Sequence, residues 1–211
     1  MWDRLIAPLH NIIETGGPVV ATLLVASVIS VAVILYKVWQ FRAAGVGRHR
    51  DVMLALSEWD RGIDKGIHEQ LRASKSYLAP VLISGIDVSE SDTNVVAARL
   101  DADIEVRFLL LERGFRFLDN IAQLAPLLGL FGTVLGMISA FQALQQAGDQ
   151  VDPSILAGGI WVALLTTAVG LAVAMPTSVI LSWLEQRIDA DRVIAEKAIR
   201  TLLSPAVRHA R

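Results

Sequence analysis

Three stretches of the chain carry no Asp, Glu, Lys or Arg: Pro18–Tyr36, Asn120–Gly148 and Pro153–Leu184. Each is long enough to supply the roughly 20 helical residues that cross the hydrocarbon of a bilayer, and none alternates apolar with polar residues as a strand would. The pattern predicts an all-α integral membrane protein with three transmembrane helices, at residues 18–36, 120–146 and 154–183. Around them lie a leader (1–17), a middle segment (37–119), a short turn (147–153) and a tail (184–211).

The polar segments have periodicity of their own. In the leader, Leu5, Leu9, Ile12 and Ile13 form a helical stripe suited to lying on a membrane surface, and Gly16-Gly17-Pro18 is expected to end it and start the first span. Residues 38–81 read as short amphipathic helices punctuated by Gly45, Gly47, Gly62, Gly66 and Pro80. A polar-rich stretch, Ser84–Asn94, follows. From Val95 onward, Ile104, Phe108, Leu111, Phe115 and Leu118 mark one helix face that runs into the second span. An uninterrupted helix of about 50 residues, roughly 75 Å long, is therefore predicted there. The same reasoning continues the third span through Leu203. Helices this long and amphipathic, in a chain with three spans, predict a homo-oligomer.

Charge distribution sets an orientation. One Lys/Arg lies in the leader (Arg4), twelve lie from Lys37 to Arg116, none lies in the 147–153 turn and six lie in the tail. The excess of basic residues on cytoplasmic loops then places the N-terminus and the short turn outside, and the middle segment and tail inside. The first apolar block is too long, and its leader too weakly basic, for a cleavable signal. A net charge of −2 gives no reason to expect nucleic acid as a partner. Absence of cysteine removes disulfides, thiolate metal sites and cysteine nucleophiles.

Candidate chemistry lies inside the spans. Gly129, Gly132 and Gly136 fall on nearly one face of the second span, and Gly159, Ala163, Thr167 and Gly170 on one face of the third, so two helices can approach closely along them. Thr133, Thr166 and Thr167 bring hydroxyls into hydrocarbon, where a bond back to a carbonyl one turn earlier is their ordinary use. Pro126 and Pro176 each remove a helical N–H and favour a kink. His10, His49, His68 and His209 are scattered, so no metal site is expected. Asp101, Asp103 and Glu105, with Arg99 and Arg107, read as a solvated helix face laced with ion pairs. The span-two glycines lack the Gly-Lys-Ser/Thr ending of a phosphate loop, and no activated nucleophile or carboxylate pair lies in the bilayer, so no enzyme is expected.

The run Ala125-Pro126-Leu127-Leu128-Gly129-Leu130-Phe131-Gly132-Thr133-Val134-Leu135-Gly136-Met137, with Gly158-Gly159-Ile160 through Thr166-Thr167 to Met175-Pro176, closely resembles the signature spans of the MotA/TolQ/ExbB proton-channel family, its ExbB and TolQ branch above all. The resemblance implies a bacterial inner-membrane homopentamer whose second and third spans line a pore, with Thr133 and Thr167 on the proton path and Thr166 beside them. It implies a single-span ExbD- or TolR-like partner whose intramembrane Asp carries the proton, a TonB-like protein downstream, and no cofactor beyond the proton itself. That branch commonly has a glutamate where this chain has Val162. Neutral threonines can orient a proton but cannot hold one as a titrating group near pH 7, so any carrier must come from another chain. The alternatives are a TolQ-like subunit, a flagellar-stator-like subunit, which would have four spans, and a non-conducting membrane scaffold.

Overall fold

The computed structural model describes residues 3–63, 66–87, 93–147 and 153–206, and side chains from Gly16 onward except Ala147. All regular structure among the described residues is helical: α1 (Asp3–Ala44), α2 (Arg50–Asp60), α3 (Ile67–Ala73), α4 (Ala79–Asp87), α5 (Thr93–Glu112), α6 (Phe115–Ala147) and α7 (Pro153–Leu203). Three helical stretches, within Gly16–Ala44, Thr93–Gln146 and Pro153–Leu203, are long and apolar enough to cross a membrane. No more than 28% of the apolar window of each is buried. That much bare apolar surface fits lipid as the solvent and identifies a membrane protein.

The expected long helix from Val95 through the second span is interrupted. A turn at Arg113–Gly114 separates α5 from α6, and Gly114 has φ 101°. Only glycine enters that region without strain, so this residue ends one helix and resets the phase of the next. The corresponding expectation for α7 holds: it runs unbroken for 51 residues with Pro176 inside it. At Gly17 the backbone leaves helical geometry (φ 64°, ψ −159°), which is the expected break between the leader and the first span. Pro80 interrupts nothing; it occupies the first turn of α4, where its missing N–H has no helical partner to lose. The leader's side chains, His10 included, residues 148–152 of the short turn, 88–92 of the polar stretch, and 207–211 with His209 lie outside the described residues.

The chain forms two compact units. The first comprises the chain up to Leu35 together with Gly114–Leu181. Its centre joins α1, α6 and α7 through Leu23, Ala125, Val173 and Ala174, flanked by Val19, Ile121, Leu128 and Val169.

The second unit comprises Tyr36–Arg113 and Ser182–Arg211. Val52, Leu56, Leu71, Leu78, Leu82, Leu100, Phe108, Ile188 and Leu202 form its buried apolar core. Lys37, 2% exposed, turns inward and donates to the Leu111 carbonyl at 2.9 Å and to Gln40 Oε1 at 2.7 Å. It thereby satisfies one of the carbonyls left open at the end of α5. Trp59 Nε1 donates to Leu202 O at 3.0 Å, and the Ala206 amide to Asp60 Oδ1 at 2.7 Å, tying the end of the described chain to α2.

Candidate functional site

In the first unit α6 and α7 meet along the small residues. A Cβ added to Gly132 would lie 2.6 Å from Thr166 Cβ and Oγ1; one on Gly129 would lie 3.0 Å from Thr166 O and 3.1 Å from Thr167 Cα. On Gly136 it would lie 3.2 Å from the Ala163 nitrogen, and on Gly170, 2.6 Å from the Ala125 carbonyl oxygen. On Gly159 it would collide with the Ala140 side chain. The glycines thus remove the atoms that would hold the backbones apart. Ala125 and Ala140 belong to the same seam. Both continue the three- and four-residue spacing of Gly129, Gly132 and Gly136, so the sequence held the signal for them.

The three threonines separate into different environments. Thr166 is 1% exposed, with Oγ1 2.7 Å from Ala163 O in its own helix and 3.2 Å from Gly129 O across the seam. One hydroxyl proton serves both contacts, and the shorter one claims it. Thr167 Oγ1 lies 3.4 Å from the same Gly129 O, a long contact that holds the proton loosely. Thr133 is half-buried and donates to Leu130 O at 2.7 Å in its own helix. The structure therefore brings Thr166 and Thr167 together on one carbonyl and places Thr133 apart from them. Pro126 is half-buried and Pro176 exposed, each within a continuous helix.

Val162 lies one turn before Thr166. Both line a cavity of about 350 Å³ with Gly132, Gly136, Ser139 and the start of the first span at Gly16–Val19. A longer, charged side chain at position 162 would enter this space. With valine there the walls are almost wholly apolar, Ser139 and Thr166 being the polar exceptions. The seam as a whole therefore offers hydroxyl and carbonyl oxygens and no ionisable group.

A second polar cluster, which the sequence did not reveal, lies in the second unit. Asp191, 1% exposed, accepts the Gly47 amide at 3.2 Å on both carboxylate oxygens and the Tyr77 hydroxyl at 3.1 Å on Oδ2. His49 Nε2 stands 2.8 Å from Asp191 Oδ2, too bent for a hydrogen bond, while its Nδ1 shares a proton with Ser76 Oγ at 2.8 Å. Burial first, and then the carboxylate, push the Tyr77 phenol above its ordinary range, so it remains a neutral donor. The Tyr77 ring stands edge-on to Phe108 at 6.1 Å, and Arg192 and Arg107 lie close enough to act on its phenol.

The acidic face of α5 differs from expectation. Glu105 and Glu112 pair with Arg192 of α7, at 3.2 and 3.1 Å, rather than with Arg99 or Arg107 on their own helix. Among the described residues no group of three His, Cys, Asp or Glu side chains could hold a metal ion.

Comparison with known proteins places these features in context. The family described as the MotA/TolQ/ExbB proton channel family matches residues 60–197. A putative biopolymer transport protein ExbB homolog of Methanothermobacter thermautotrophicus is 35% identical over 127 residues, 59% of this chain and 44% of the relative. The biopolymer transport protein ExbB of Salmonella typhimurium is 30% identical over 123 residues, 58% of this chain and 50% of the relative. The Tol-Pal system protein TolQ of Haemophilus influenzae is 41% identical over 80 residues, 38% of this chain and 35% of the relative. The chain spans half the length, or less, of these three relatives.

Proposed function

The chain belongs to the MotA/TolQ/ExbB proton channel family, and from that premise we propose that it is an ExbB-like channel subunit of an inner-membrane energiser. In this reading several copies, five in the resembled architecture, enclose a pore between their second and third spans. A single-span ExbD- or TolR-like partner sits in that pore and supplies the titrating Asp. The leader faces the periplasm, the middle segment and tail face the cytoplasm, and the energy reaches a TonB-like protein that serves the outer membrane. Each unit charge crossing about 100 mV releases about 2.3 kcal/mol, enough to bias a small rotation or shift of the partner.

The observation that carries the reading is the seam: two threonine hydroxyls, Thr166 and Thr167, converge on the carbonyl of Gly129 in spans without any ionisable side chain. Such a surface can orient a proton held by another chain, and Val162 keeps the subunit itself from holding one. Of the two, Thr167 is the candidate for the proton path, because its hydroxyl is half-buried and loosely held, whereas Thr166 is committed to packing. Thr167→Val is expected to leave assembly and partner binding intact and to abolish partner-dependent transport energised by the proton gradient. Normal transport in that variant removes Thr167 from the mechanism.

The TolQ relative supports a second reading, in which the same channel drives envelope maintenance. Deleting the gene separates them: loss of nutrient uptake supports the TonB reading, and loss of outer-membrane integrity the Tol reading.

A further inference from the structure

The cavity beside Val162 is longer than it is wide. On α6 its walls run from Gly132 to Ala143 and on α7 from Ile155 to Thr166, in each case eleven steps along one helix face. The start of the first span closes it on a third side, and all of these residues belong to the first unit. Eleven steps at about 1.5 Å give a length of about 16 Å, over which 350 Å³ leaves a mean cross-section of about 20 Å². Val162, half-buried, stands partway along the α7 wall.

These dimensions and the chemistry of the walls select what fills it. The walls carry no charge, and those on α6 and α7 fall in stretches of chain free of Asp, Glu, Lys and Arg. Thr166 donates its proton to Ala163 O, which leaves Ser139 as the one side-chain hydroxyl to spare. Water is a poor occupant, because a buried water needs two to four polar partners, and an apolar cavity of about 150 Å³ stays dry and takes an apolar guest. A helix from another chain is too thick: at about 10 Å across with its side chains, it has a section of about 80 Å². A lone side chain reaching in from outside fills only part of the length. A single saturated hydrocarbon chain fits, since carbons in contact stand about 4 Å apart and a file of methylenes fills roughly 20 Å².

We propose that this cavity holds one acyl chain of a membrane lipid. The chain lies between α6 and α7 along Val162, with its inner end at Thr166 and the rest of the lipid toward the helix ends that flank the 147–153 turn. A bilayer offers hydrocarbon chains to every open groove of a span, and an occupied cavity recovers the dispersion contacts that an empty one forfeits. The inference needs a membrane protein and not a channel, so it stands apart from the energiser reading. It also gives Val162 a role of its own, because a carboxylate at that position would bring charge into the space and exclude the lipid.

The test places the unsubstituted chain in vesicles containing a phosphatidylcholine with a diazirine near the end of one acyl chain. After irradiation, labelled residues are mapped by proteolysis and mass spectrometry. Label is expected at Val162 and at Thr166, which is 1% exposed, as well as at bare positions such as Leu164, 63% exposed and outside the cavity. Label confined to bare positions overturns the proposal, whether water, a second copy or a partner fills the space instead. Val162→Phe puts a ring into the cavity. It is expected to lose the label at Thr166 and keep that at Leu164, and in native mass spectrometry to retain one lipid fewer per chain than the unsubstituted protein. Unchanged label at Thr166 and unchanged lipid retention in a folded Val162→Phe overturn the proposal; if that variant does not fold, the label on the unsubstituted chain decides alone.

Discussion

The seam between α6 and α7 and the cluster around Asp191 both enclose polar atoms, and they do so by opposite means. In the seam no side chain carries charge; hydroxyls bond to backbone carbonyls, and the contact is made by removing atoms, at Gly129, Gly132, Gly136, Gly159 and Gly170. Around Asp191 a full carboxylate is buried; a backbone amide and a phenol donate to it, and the His49 imidazole stands beside it without a hydrogen bond. Lipid tails are as apolar as leucine, so a seam gains nothing by expelling them and relies on close packing. A water-solvated fold gains from apolar burial and can carry a buried charge if every donor is in place. The difference fits lipid around the first unit and, in the proposed topology, water around the second.

The comparison breaks most readily at the carboxylate. Asp191→Ala strands the Gly47 amide, the Tyr77 hydroxyl and His49 in an enclosed site, and is expected to cost about 3–5 kcal/mol. In a background where the other four tryptophans are replaced by Phe, denaturant-induced loss of Trp59 fluorescence would read it, with Asp191→Asn recovering part of the loss. An intermediate effect is expected at Gly170. A branched side chain there meets the Ala125 carbonyl, which cannot turn aside as a side chain can, so Gly170→Val should cost about 1–3 kcal/mol of helix association. Accelerated proteolysis of the detergent-solubilised chain would show it. The smallest effect belongs to Thr166→Val, which keeps the shape and loses one hydroxyl. A loss below about 0.6 kcal/mol, the usual size of an interhelical hydrogen bond in a membrane, is expected in the same assay because the proton is claimed within α7, whereas a loss as large as that of Gly170→Val would mean that the seam depends on its hydroxyls more than on its missing atoms.

Legibility in the sequence divides along the same line. The seam could be read because its code is local: small residues three and four apart, in stretches without charge, fix a face before any partner is known. Val162 was visible as a departure, though only the structure shows that it faces a cavity. The Asp191 cluster could not be read, because His49, Ser76 and Asp191 come from distant segments and nothing in their own neighbourhoods distinguishes them from solvated residues. The break at Gly114 was missed for a related reason. Apolar periodicity continues from Phe108 through Phe115 to Leu118, and a single glycine within it is compatible with a helix until its φ is known. Likewise the acids of α5 suggested partners on their own helix, whereas Arg192 on α7 takes them.

One consequence of the seam concerns entropy. Leucine or methionine at an interface must give up rotamers when the helices meet, at a cost of about 0.5–2 kcal/mol each. Gly129, Gly132, Gly136, Gly159, Ala163 and Gly170 have none to give up. Contact between α6 and α7 therefore forms without sorting side chains, and it can loosen and re-form without sorting them again. Along most of its length the seam is smooth, and only Thr166 and Thr167 mark a preferred register. A helix pair built in this way can shift by a small step and return, with only the weak contacts of Thr166 and Thr167 to the Gly129 carbonyl to mark its register.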